Sequence, residues 1–336
     1  MTATETGRKL TYTAAFTEAV RLEMAADPDV FIAGEDVGAH GGVFHTFDGI
    51  QKEFGAERAV DTAISEQAII GLGVGAAVSG LRPIVDIMFM DFLMVASDQI
   101  VNQAAKLKYM FGGEAKVPLT ITTMGGAGLS AAAQHSQSLE AMFCHIPGLK
   151  VVYPSGAREV KGLMAACIRE DNPTLMVLHK RLLGVSEIVP EERYEIPLGV
   201  ANVVRSGSDV TVVTWGKMLA DTTAAANVLA AEGISAEVID LRTLQPLDIE
   251  TVLTSVRKTN RAVIVHEAVK FGGLGAEISA QIQEQAFWHL DAPVGRVAAP
   301  FSPVPFSPTL EKLYLPDATK IAEGVRSSLE RPFAGR

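Results

Sequence analysis

Cysteine is nearly missing from this chain, with Cys144 and Cys167 the only two in 336 residues. Each lies in an apolar neighbourhood without a second thiol, histidine or aspartate at ligand spacing, which excludes a disulfide framework and a thiolate metal cluster. They read as buried fillers in a reducing compartment. The seven histidines are dispersed and form no His-x-x-x-His pair, so the zinc-hydrolase pattern is absent. No Gly-x-x-x-x-Gly-Lys-Ser/Thr occurs, and no Gly-x-Gly-x-x-Gly joins a strand to a helix, so nucleotide phosphates have no recognisable cradle. Basic residues form no stripe, and a formal charge of −10 argues against a nucleic-acid surface. No apolar run reaches membrane-spanning length, and nothing apolar stands behind the basic pair Arg8 and Lys9. The expected location is therefore the cytoplasm.

What is present is an aliphatic composition: 48% hydrophobic, 20% charged and only 6% aromatic. A chain of this length exceeds what one hydrophobic core usually serves, so two α/β domains are expected. Apolar residues at helical spacing from Tyr12 to Ala26 end at Asp27-Pro28-Asp29, a helix with a stop. Val30 to Gly34, Pro83 to Phe89, Leu119 to Met124, Leu149 to Tyr153 and Thr174 to Leu178 read as buried strands of a parallel sheet. Met94 to Met110 reads as a long buried helix, and Ala131 to Glu140 as the start of another. The acidic, proline-bounded stretch 184–197 reads as a linker. Beyond it, strands at Val210–Thr214, Ala236–Asp240, Ala262–His266 and Val294–Val297 alternate with helices at Met218–Glu232, Asp248–Thr259 and Leu274–Phe287. The glycines of Gly71-Leu-Gly-Val-Gly75 fall inside an apolar helix, where they serve close packing.

Two residues carry candidate chemistry. Glu66 stands directly before the apolar run 68–77, at the mouth of an interior. A carboxyl so placed is partly desolvated and can donate to a ring nitrogen; the plainer reading is a first-turn acid serving the helix dipole. His135 follows the Gly-rich turn 125–128, where a helix start would direct free N–H groups at the imidazole and suit it to proton transfer. The alternative is a hydrogen-bonded structural histidine. Phe89 and Phe92 offer an aromatic face to a planar heterocycle, or are simply core.

Taken together, Gly34-Glu-Asp-Val-Gly38, Asp61-Thr-Ala-Ile-Ser-Glu66, Phe89-Met-Asp-Phe92, Asp98-Gln-Ile-Val-Asn102, Gln134-His-Ser-Gln-Ser138 and His145-Ile-Pro-Gly148 resemble one family. It is the beta subunit of the thiamine-diphosphate-dependent first component of 2-oxoacid and acetoin dehydrogenase complexes. Ile239-Asp-Leu-Arg-Thr243 and Gly272-Gly-Leu-Gly-Ala-Glu-Ile278 extend the match to nearly the whole chain. The resemblance implies a transketolase-like α/β fold with two parallel or mostly parallel sheets. A pyrimidine-binding domain would span residues 8–190 and a transketolase C-terminal domain residues 198–332.

By the same resemblance, Glu66 hydrogen-bonds the cofactor's aminopyrimidine, the Ile64 carbonyl accepts from its exocyclic amine, and Phe92 packs on the ring. His135 transfers a proton during reductive acylation of a lipoyl group. Thr120, Cys167 and Asn172 fall where some members bind K⁺. The diphosphate and Mg²⁺ belong to an alpha subunit in an α2β2 heterotetramer, because the Gly-Asp-Gly motif that holds them occurs nowhere here. A lipoyl-bearing acyltransferase core completes the implied assembly. Pyruvate and acetoin both lead to hydroxyethyl-thiamine in this family, and branched-chain 2-oxoacids are a further substrate class. Two rival readings are a scaffold of the same fold without catalysis and a self-sufficient transketolase-type enzyme; the missing Gly-Asp-Gly disfavours the second.

Overall fold

The computed structural model describes residues 7–330. The end of the expected C-terminal domain at 332 lies outside that range. Two units divide the described residues: 7–125 with 142–198, and 126–141 with 199–330.

In the first unit the strands are β1 (Arg8–Thr11), β2 (Val30–Gly34), β3 (Ala59–Asp61), β4 (Arg82–Phe89), β5 (Thr120–Gly125), β6 (Lys150–Val152), β7 (Thr174–His179) and β8 (Ser186–Val189). The helices in chain order are α1 (Tyr12–Ala26), α2 (Ile50–Phe54), α3 (Glu66–Val78), α4 (Ala105–Met110) and α6 (Ala157–Arg169), while α5 (Glu140–Cys144) begins in the second unit and ends in the first. The central strands run parallel in the order β6-β7-β5-β4-β2-β3. Helix α1 starts where the Thr11 side chain accepts from the Ala14 N–H and stops at Asp27. Its apolar positions Tyr12, Phe16, Val20 and Met24 recur at turn spacing and are fully buried with Ile32, Ile84 and Met164, a stripe that fixes the helix against the sheet.

Three expectations are corrected. The stretch 94–110 is broken into a 3₁₀ turn (Met90–Met94), a π-helical segment (Gln99–Ala104) and α4. Its outer face is exposed at Tyr109 and Met110. The linker 184–197 contains β8, which pairs antiparallel with β1. Residues 131–139 form no helix, and α5 begins only at Glu140. Ser130 and Ala132 adopt φ of +54° and +64°, which an α-helix cannot contain.

In α3 the glycines differ in what they permit. A Cβ on Gly73 would sit 2.8 Å from both Leu119 Cδ1 and Val85 Cγ1, whereas one on Gly75 would meet nothing within 4 Å. Gly73 alone lets the helix settle on β4. Gly73→Ala is expected to lower stability by about 1–3 kcal/mol through overpacking, and Gly75→Ala to raise it by about 0.5–1 kcal/mol through helix propensity. Denaturant midpoints of the two variants check this, and equal shifts would contradict it.

The second unit holds β9 (Asn202–Arg205), β10 (Val210–Thr214), β11 (Ala236–Asp240), the short β12 (Thr243–Gln245), β13 (Ala262–Val269) and β14 (Gly295–Ala299). Its helices are α7 (Met218–Ala231), α8 (Ile249–Thr259), α9 (Leu274–Ala286), α10 (Pro308–Tyr314) and α11 (Ala318–Glu330). The sheet order is β14-β13-β10-β11-β9, parallel except for β9 at the edge. Alternate residues of β10 face opposite layers. Val210 and Val212 pack with Ala225, Leu229, Ile321 and Val325 of α7 and α11, while the Thr211 hydroxyl bonds Ser255 at 2.6 Å and Thr259 at 2.7 Å on α8. Helices on both faces explain why the parallel strands read as continuous apolar runs.

Candidate active site

Chemistry in the first unit gathers at the C-terminal edge of the sheet, where ligand loops of parallel sheets lie. There Gly34 stands in register with Asp61 on one side and Asp86 on the other. The loop after β2 is tied back by Asp61, which accepts the Gly38 N–H at 2.6 Å and the Ala39 N–H at 3.3 Å. A Cβ at Gly38 would fall 2.2 Å from Gln51 Nε2 and 2.6 Å from Asp61 Oδ2, so a larger residue would have to displace both side chains. Glu35 opens this loop. Burial first, and then the charges of Asp36 and Glu66, push its carboxyl above the ordinary range. Burial pushes Asp86 up to about 6; the Thr122 hydroxyl, donating at 2.6 Å, pulls against that rise and the Glu35 charge adds to it.

Glu66 is the half-buried first residue of α3, reached through a short loop from β3. Ser65 is the N-cap by position, yet its side chain makes no capping bond. Ile64 precedes it with 74% of its surface exposed. Phe92 lies on the 3₁₀ turn that leaves β4, edge-on to Phe89 at 6.0 Å. Phe89 in turn meets Phe44 at 5.5 Å and lies under the Lys180 ammonium at 5.3 Å. Glu66, Ile64 and Phe92 thus belong to connections leaving one edge of one sheet. Thr120 and Cys167 meet through Thr174, whose hydroxyl reaches Thr120 Oγ1 at 3.4 Å and also bonds the buried Cys167 thiol. Burial pushes that thiol up to about 12. The Asn172 amide is engaged elsewhere, donating to Glu170 and accepting from Lys108 Nζ at 2.9 Å.

His135 is half-buried in the irregular loop 126–139 of the second unit. That loop is held by carboxylates rather than by a helical ladder. Glu267 Oε1 accepts the Ala127 N–H at 2.6 Å, Glu311 Oε1 accepts the Gly128 N–H at 2.7 Å, and Glu311 Oε2 accepts the Ser130 N–H at 2.9 Å. Ala133, Gln134, residues 136–139, Glu267, Phe301 and Tyr314 line a cavity of about 530 Å³. Beside it, Glu140 accepts from Trp215 Nε1 at 3.4 Å, and Trp215 stacks on the buried ring of His266 at 5.4 Å. Burial pushes His266 down to about 4, so it is neutral at physiological pH; the Ala268 backbone opposes that shift.

Burial also pushes Glu140 up to about 7, with the nearby Glu267 charge adding to the rise. A carboxyl whose pKa is higher folded than unfolded contributes stability that is complete below the unfolded value of 4.5 and is lost as pH climbs through the folded one. The stability gap between Glu140→Gln and the parent is therefore expected to widen by about 3 kcal/mol between pH 5 and pH 8, in favour of the variant. Urea unfolding at several pH values measures it, and a gap independent of pH would contradict it.

Glu35, Asp86, Glu140, Glu267 and Glu311 were not assigned roles from sequence. Glu35 stood inside a noted motif, and Glu267 is an acid within the apolar run of β13, a detectable anomaly. Glu311 carries no local signal. Among the described residues no three His, Cys, Asp or Glu side chains converge as metal ligands, and no helix is long and apolar enough to cross a membrane.

Residues 8–186 match the family model for the transketolase pyrimidine-binding domain, and residues 199–321 that for the transketolase C-terminal domain. The chain is 48% identical over 333 residues to the beta subunit of acetoin:2,6-dichlorophenolindophenol oxidoreductase of Cupriavidus necator, covering 96% of this chain and 98% of that one. It is 45% identical over 318 residues to the beta subunit of the pyruvate dehydrogenase E1 component of Rickettsia felis, covering 95% and 98%. Among solved structures, a split-gene transketolase described as an inactive beta4 tetramer aligns with a TM-score of 0.79 at 25% identity, covering 95% of this chain and 98% of that one. With both domains matched and such relatives along nearly its full length, the chain belongs to the transketolase family, in the group of acetoin and pyruvate dehydrogenase beta subunits.

Proposed function

We propose that this chain is the beta half of a thiamine-diphosphate-dependent dehydrogenase component. It takes a two-carbon unit from pyruvate or acetoin in the cytoplasm and passes it to a lipoyl group on an acyltransferase core. One observation carries the reading: a half-buried acid at the start of α3, the exposed residue Ile64 before it and an aromatic turn leave the same sheet edge of a pyrimidine-binding domain. Those residues fit an aminopyrimidine, which needs a carboxyl for its ring nitrogen, a carbonyl for its amine and an apolar ring face. Thiamine diphosphate, when bound, supplies the electron sink for cleaving the bond next to the substrate carbonyl. With the cofactor bound, Glu66 would hydrogen-bond the ring nitrogen, the Ile64 carbonyl would accept from the amine, and Phe92 would exclude water from the ring face. His135 gives a proton to the sulfur released when the lipoyl S–S bond opens and the other sulfur takes the acyl group.

The diphosphate and Mg²⁺ are assigned to an alpha subunit in an α2β2 assembly. Besides the missing Gly-Asp-Gly, the outer face of α3 supports a partner, since Leu72 and Val78 are 42% and 49% exposed and Gly75 leaves room for a close approach. K⁺ at Thr120, Cys167 and Asn172 is proposed through backbone carbonyls. The Thr174 contacts that bring Thr120 and Cys167 together support it. The test is dye or lipoyl-domain reduction by the chain mixed with an alpha-type subunit. Turnover of pyruvate or acetoin by the mixture, and by neither chain alone, is the expected result. Turnover by the lone chain, or none of either substrate by a folded complex, would contradict it.

A further inference from the structure

The loop 126–139 takes a conformation that its own sequence does not favour. Gly126 and Gly128 adopt φ of +83° and +99°, and the non-glycine residues Ser130 and Ala132 adopt +54° and +64°. Single non-glycine residues in this region are costly and persist only where their surroundings over-determine them. Two backbone bonds within the loop run from the Gly126 N–H to the Gln137 carbonyl at 3.3 Å and from the His135 N–H to the Ala132 carbonyl at 3.5 Å. Shorter bonds go outward, to two buried acids on different elements. Glu267 of β13 is 8% exposed and Glu311 of α10 is 3% exposed. Three backbone N–H groups donate to them at 2.6–2.9 Å, and the Ser130 hydroxyl adds a longer contact to Glu311 at 3.4 Å. No cation pairs with Glu311 among the described residues, and the loop's N–H groups and the Ser130 hydroxyl are its partners. Charge-assisted bonds of this kind are about twice as strong as neutral ones, and burying a carboxylate without them is prohibitive. Each partner therefore needs the other.

We infer that Glu267 and Glu311 are positioning residues: they hold the 126–139 loop, and through it the His135 imidazole, in the geometry that the acyl-transfer step uses. The inference rests on the role proposed for His135. Neither acid touches the reacting atoms. At Glu311, where both oxygens accept, a glutamine keeps the shape but turns an NH₂ on one N–H donor, and at Glu267, whose Oε1 accepts the Ala127 N–H, it keeps that bond but removes the charge that strengthens it.

The experiment uses the assembled alpha–beta enzyme with Glu311→Gln, Glu267→Gln, His135→Ala and the two Gln/Ala double variants. Two readouts are taken: amide hydrogen exchange across residues 126–139, and turnover with a lipoyl domain against turnover with a dye acceptor. Each Gln variant is expected to speed exchange in the loop at least tenfold. Each should also cut lipoyl turnover about tenfold or more while dye turnover and substrate KM stay within about threefold. In the His135→Ala background the same substitutions should add nothing to the lipoyl loss, because coupled residues are not additive. Full additivity there, or accelerated exchange with lipoyl turnover intact, would overturn the inference. If His135→Ala alone leaves lipoyl turnover unchanged, the reading of His135 fails instead, and the exchange data still report whether the acids hold the loop. Glu267 and Glu311 lie on separate elements, so one variant remains testable if the other does not fold.

Discussion

Replacing Glu66 by alanine in the assembled enzyme is expected to lower turnover of either substrate by about 10³-fold, with the chain still folded. The size follows from the role: a positioned acid or base contributes about 10²–10⁴-fold, and this one has a single proton to manage against a ring nitrogen. Fold integrity follows from its place. Glu66 is the first residue of α3 and half-exposed, and no cap depends on its side chain. The helix is anchored further along, at buried Ile69, Ile70, Gly73 and Val74. Glu66→Gln should recover little, because an amide keeps the shape but not the transferable proton. Steady-state turnover of the two variants, with circular dichroism as the folding control, measures this. A loss below about tenfold would remove Glu66 from the chemistry and leave it the first-turn acid of the alternative reading.

His135→Ala should separate two half-reactions that Glu66→Ala removes together. Lipoyl-domain acylation is expected to fall by about 10²-fold or more, because the sulfur that leaves the dithiolane loses its proton donor. A dye that accepts electrons needs no such proton from this side chain, so its reduction should stay within about threefold. His135 is half-buried, so its truncation leaves no sealed void in the core. Parallel assays with a lipoyl domain and with 2,6-dichlorophenolindophenol measure the ratio. An equal loss in both would move His135 to the shared cleavage step, and no loss in either would make it a structural histidine.

Where local pattern and tertiary environment agree, the fold was readable. Helix α1 begins and ends at the residues its apolar spacing and the Asp27-Pro28 stop predicted, and β2, β10 and β11 match because a doubly covered strand must be apolar throughout. The edge strand β9 escaped notice because Asn202–Arg205 is short and half-exposed, leaving no buried run to see. The helix expected at 131–139 failed for a different reason. Ala131-Ala-Ala is a good helix former, but Glu267 and Glu311 capture the backbone of Ala127, Gly128 and Ser130 from 140 to 183 residues away. No window of local sequence contains that contact. The candidate site divides the same way. Glu66 showed itself as a charge at an apolar boundary, while the strain on Glu35 and Asp86 arises only once β2, β3 and β4 bring their ends together.

The central claim is that this chain carries half of a thiamine diphosphate site, and calorimetry of cofactor binding with Mg²⁺ tests it most directly. The chain alone should give no measurable heat, its mixture with an alpha-type subunit should bind, and Glu66→Ala in the mixture should weaken that binding. Tight binding by the chain alone, or binding by the mixture that ignores Glu66→Ala, would contradict it.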